Sequence, residues 1–196
     1  MNFRTTILLS AVALSTFEAN AFAAQKNTTK ASRNSESRIE IGMRTITEDA
    51  ARAHVYFLAD DLLEGRRAGE RGARIAKRYI ESQIREAGLK PLLGDNYEQP
   101  FEACGAQRLK RSPRFYVDAD SITKIKKDVY QSLNLSNVLA VLPGRKSDEY
   151  VVVGAHLDHE GQYADVAGDG IYNGADDNAS GVSAVLQIMK AFVASG

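Results

Sequence analysis

Tyr150-Val151-Val152-Val153-Gly154 is an apolar run with no polar alternation. A strand that faces water on one side alternates apolar and polar residues, so an unbroken run points to a strand covered on both faces. Such a strand needs helices as covering layers, and the chain supplies amphipathic segments for them. Thr45 with Glu48 fits a capping box, and Ala50, Ala53, Phe57, Leu58 and Leu62 then recur at helical spacing. A second helix is expected from Arg71 to Ala87, with Ala76, Tyr79, Ile80, Ile84 and Ala87 as its stripe. Gly88 stops it and Pro91 follows. Val182, Val185, Leu186, Met189 and Val193 mark a third helix. Between the first two helices, Leu63 to Gly72 holds three glycines and three arginines, which points to a shaped loop. Arg114 to Val117 is a weak strand candidate. Asn137 to Leu142 is a better one, and a short polar connection from Pro143 to Glu149 joins it to the apolar run as an antiparallel hairpin. The expected class is α/β, with helices flanking a buried sheet.

The first residues read as an address. Arg4 supplies the charge, Ile7 to Leu14 is a short apolar run, and Ala19-Asn20-Ala21-Phe22-Ala23-Ala24 has the small-residue spacing of a cleavage site. Residues 1–23 are therefore expected to be a signal peptide, and the chain to be exported to a periplasm or the exterior, with no membrane anchor after cleavage. Residues 24–44 are polar and read as a flexible lead. The folded part is expected over 45–196. Lys plus Arg and Asp plus Glu both number 25, so the chain has no net charge with which to attract nucleic acid. Cys104 is the only cysteine, which rules out an intrachain disulfide and a cysteine metal cluster.

The chemistry-bearing residues gather just past the apolar run. His156 and Asp158 follow it directly, where open α/β sheets build their sites. After a glycine-rich stretch, Asp176 and Asp177 stand just before the last helix. Imidazole and carboxylate without thiolate suit a catalytic zinc ion. Asp158 lies two residues beyond His156, so it can receive the ring N–H and fix the tautomer. Asp176 can bridge two metals about 3.5–4 Å apart through both oxygens. The plainer possibility, a solvated histidine among acids, stays open on spacing alone.

Gly154-Ala155-His156-Leu157-Asp158-His159 and Asn173-Gly174-Ala175-Asp176-Asp177-Asn178-Ala179-Ser180-Gly181 resemble the signature of the M28 zinc peptidases. Phe57 to Arg66 and Asn137 to Gly144 are similar to further segments of that family. The resemblance implies a mixed β-sheet between helices, the zinc-exopeptidase form of the phosphorylase/hydrolase-like fold. It implies two Zn²⁺ ions, a peptide substrate and an aminopeptidase-type reaction. In that resemblance His156 ligates one zinc, Asp176 bridges both, Asp158 stands behind His156, and the Asp176–Asp177 peptide is cis. The family's Glu-Glu pair, later Asp and final His have no counterpart here. No Glu-Glu dipeptide occurs, and the three histidines are His54, His156 and His159. The chain is accordingly expected to be a truncated, N-terminal portion of the catalytic domain with an incomplete site and no activity alone. Two alternatives are a non-catalytic binding protein of the same fold and a zinc glutaminyl cyclase-like acyltransferase. His54, His159, Arg66 and Arg67 read as structural.

Overall fold

The computed structural model describes residues 29–108, 111–125, 129–146 and 148–196. The expected signal peptide lies outside the described residues. Five α-helices are described: α1 (Thr29–Arg44), α2 (Glu48–Leu58), α3 (Arg71–Glu86), α4 (Ala119–Ile125) and α5 (Gly181–Ser195). A 3₁₀ turn, Asp61–Arg66, joins α2 to α3, and a wider π-type turn, Ala175–Ser180, leads into α5.

The helices form where their end signals and apolar stripes agree. The Thr47 hydroxyl caps α2 by accepting the Ala50 N–H at 3.2 Å, so the cap lies two residues beyond the expected Thr45. Helix α3 buries Ala76, Ile80 and Ile84 and ends at Gly88, whose φ of +75° closes it in the left-handed region. These residues meet Leu58, Leu63, Ala179, Val182 and Leu186 in one core between α2, α3 and α5. Burying each such aliphatic side chain stabilises the fold by roughly 1.5–3 kcal/mol relative to exposure.

The α/β class holds, but among the described residues the sheet is divided into three small antiparallel pieces. β1 (Lys90–Pro91) pairs with β5 (Ala140–Val141), and β6 (Gly161–Gln162) pairs with β7 (Ile171–Tyr172). β2 (Glu98–Arg108) lies between β3 (Arg111–Tyr116) and β4 (Val129–Val138). The expected strand at Asn137 to Leu142 is thus split between the end of β4 and β5.

Two sequence expectations are corrected here. The run from Tyr150 to Gly154 forms no strand among the described residues, and Tyr150, Val151 and Val152 are exposed. An apolar run becomes a buried strand only when other strands flank it, and β5 pairs with β1 instead of forming the expected hairpin. The expected flexible lead is helical over Thr29–Arg44, and this helix packs along α5. Gly42 lets the two backbones approach closely: a Cβ there would stand 2.6 Å from the Ala191 carbonyl oxygen. A polar helix can be held by such packing even where its own composition favours disorder.

Candidate metal centre

The turn between α2 and α3 organises the site. Glu64, Gly65 and Arg66 all have positive φ, at 52°, 67° and 49°. Two non-glycine residues in this region carry backbone strain of about 1–2 kcal/mol each. The turn is kept there by its neighbours. A Cβ on Gly65 would lie 2.3 Å from the Gly161 carbonyl oxygen and 2.6 Å from that of Tyr172. The Arg66 side chain is fully buried. Its Nε donates to the Leu157 carbonyl at 2.8 Å, and its Nη2 to the Gly174 carbonyl at 2.9 Å. Its Nη1 donates to the Asn173 carbonyl at 2.5 Å and also to that of Leu58. Burial, the larger influence, lowers the Arg66 pKa, while Asp158 and Asp177 raise it. An arginine remains charged under either influence.

Neighbouring residues extend this clamp. The His159 N–H donates to the Arg66 carbonyl at 3.0 Å. Arg67 Nε donates to the Glu160 carbonyl at 2.8 Å, and the guanidinium covers the Tyr163 ring at 4.4 Å. Asn173 Nδ2 reaches back to the Ala59 carbonyl at 2.8 Å and to Asp61 Oδ1 at 2.7 Å. Both arginines thus bond backbone carbonyls of neighbouring segments.

His156 is exposed on the loop so held. Its Nδ1 lies 3.0 Å from the Asp158 backbone carbonyl and 3.5 Å from Asp158 Oδ1. A carbonyl oxygen only accepts, so Nδ1 carries a proton in this contact. The tautomer is therefore set chiefly by the main chain of Asp158, with its carboxylate further off. Nε2 faces Asp177 Oδ1 at 3.0 Å. Imidazole nitrogen and carboxylate oxygen are both donors that Zn²⁺ accepts. The pair thus fits a cation on the chemistry of its donors. His159 Nδ1 lies 3.9 Å from Asp177 Oδ2 on the same flank.

Asp176 is exposed, and its backbone carbonyl accepts the Ser180 hydroxyl at 2.8 Å. The carboxylate against His156 Nε2 is that of Asp177. Its φ and ψ of −111° and 92° leave the helical region, which turns this residue out of the helical path. The cis peptide lies between Asp177 and Asn178, one bond beyond the expected position. Among the described residues no three His, Cys, Asp or Glu side chains converge to hold a metal ion.

Elsewhere, His54 is buried, with Nδ1 2.8 Å from the Tyr79 hydroxyl. Cys104 is buried beside Ser132. An apolar cavity of about 360 Å³ lies between α3, β4, α5 and the segment around Val153, with His156 and Asp158 at its edge.

Sequence reasoning missed the clamp. Its available signal was Gly65 beside a pair of arginines in a glycine-rich loop, but which carbonyls Arg66 would meet depends on chain segments about a hundred residues away.

The model of Peptidase family M28 matches residues 137–196, a stretch that holds His156, Asp158, Asp176 and Asp177 and leaves the 61–66 turn outside. No curated protein and no solved structure matches the chain.

Proposed function

We propose, for a chain whose residues 137–196 match the model of Peptidase family M28, that it carries the first metal-binding elements of a zinc-dependent exopeptidase of the aminopeptidase type. The observation that carries this reading is the pairing of His156 Nε2 with Asp177 Oδ1 at 3.0 Å while Nδ1 is committed to the Asp158 carbonyl. His156 is the imidazole ligand, Asp176 the carboxylate that the family resemblance assigns to both metals, and Asp177 the carboxylate that lies 3.0 Å from His156 Nε2. These residues would hold a zinc ion, which would supply an acidified water and polarise the carbonyl of a peptide substrate. Asp158 holds the His156 ring and its tautomer. The leader motif in residues 1–23 supports an exported enzyme acting on peptides outside the cytoplasm.

A catalytic zinc usually takes three protein ligands and a water. The described residues bring fewer together, so the expected behaviour is weak metal binding without turnover. The test is titration of the purified chain with Co²⁺ and Zn²⁺, beside His156→Ala, followed by an aminoacyl-nitroanilide assay. One binding event that weakens at least tenfold in His156→Ala is expected, with hydrolysis at background. Binding that is absent, or indifferent to His156, would sink the metal reading. Zinc-dependent, chelator-sensitive hydrolysis would show that the chain supplies ligands beyond those counted.

A further inference from the structure

We propose that Arg66 is a positioning residue, whose buried guanidinium presets the approach of His156 to the Asp176–Asp177 turn. The metal reading above enters only through the cobalt arm of the test.

The geometry is that of a fork spread over three chain segments. Leu157, which accepts from Nε, stands between His156 and Asp158. Asn173 and Gly174, which accept from Nη1 and Nη2, lead directly into Ala175 and the Asp pair. Leu58, the third segment, closes α2. The main chain of Arg66 adds a further tie, since its carbonyl accepts the His159 N–H at 3.0 Å. His156 is thus followed by two Arg66 bonds, one at the next residue and one three residues on. A change in the guanidinium moves both sides of the His156–Asp177 contact at once. Lysine cannot substitute, because a single ammonium offers three donors from one point and cannot span these carbonyls. The buried cation also lies close enough to interact with Asp158 and Asp177, the two acids that flank the His156 ring.

The test compares the wild-type chain with Arg66→Lys by the visible spectrum of bound Co²⁺, with far-ultraviolet circular dichroism as the check on folding. Arg66→Lys is expected to keep its helical signal and bind Co²⁺ at least tenfold more weakly, the size of effect seen when a ligand's outer support is removed. A folded Arg66→Lys chain that binds Co²⁺ like the wild type overturns the proposal. Amide hydrogen exchange on the wild-type chain decides the case where the variant does not fold. The amides of Leu63, His159 and Ala179 are expected to open in one event, because Arg66 links their segments. Separate opening of the 61–66 turn and the His156 loop overturns the proposal. Failure of the wild type to bind Co²⁺ defeats the metal reading, and exchange then decides the role of Arg66 alone.

Discussion

The chain on the two sides of His156 is held in opposite ways. Residues 157–174 are tied by polar bonds to the turn after α2, through Arg66, Arg67 and Asn173. Residues 150–153 carry the stronger apolar signal, yet Tyr150, Val151 and Val152 stay 48%, 60% and 41% exposed. The difference lies in what each segment needs. An apolar strand needs ladder partners on both sides and layers above and below. A loop needs only that its few buried carbonyls find donors, and one arginine can satisfy several. The loop after His156 therefore owes its position to a turn about ninety residues earlier, and not to the run that leads into it.

The largest effect that would sharpen this contrast belongs to Gly65→Ala. The new Cβ would meet the Gly161 and Tyr172 carbonyl oxygens at 2.3 and 2.6 Å, at a residue whose φ is already +67°. A loss of roughly 3 kcal/mol is expected from the left-handed backbone and the forced shift together. Urea unfolding measures it. A loss below about 0.5 kcal/mol, the scale of an ordinary surface change, would mean that the turn does not hold the loop.

A smaller effect is expected away from the clamp, at His54. Burial, chiefly, and then the Lys190 charge lower its pKa, while Glu86 opposes them. Its Nε2 is buried without a partner in the structure. A folded-state pKa below the unfolded value, which is about 6.5, means that the neutral ring is preferred on folding. Stability is then fully present above the unfolded pKa and lost as pH falls through the folded one. The urea midpoint of the wild type should fall between pH 7.5 and pH 5, and His54→Gln should flatten that fall. An equal fall in both chains would assign the acid sensitivity to other groups. The seam of α2, α3 and α5 would be the region affected, with the clamp left intact.

The smallest effect is expected on the apolar side. Val151→Thr should change stability by less than about 0.5 kcal/mol, as exposed substitutions usually do. A strand buried on both faces would lose about 1–3 kcal/mol from a hydroxyl without a partner. A loss of that size would show that the run is covered in solution, and the contrast with the clamp would collapse.

The sequence by itself determined the elements whose signals are local. Helix α3 follows from its apolar stripe and from Gly88, because capping and 3.6-residue periodicity act within a few residues. The short spacing of His156 and Asp158 likewise made their contact readable, although the closer acceptor is the Asp158 backbone carbonyl. Other features were decided by long-range packing. Helix α1 needed α5 beside it, and β2 needed β3 and β4 on its two sides. The choice of Asp177 over Asp176 as the partner of His156 Nε2 depended on backbone dihedrals within the turn before α5. The buried place of Arg66 depended on four carbonyls from segments far apart in the chain, which only the folded structure brings within reach of one guanidinium.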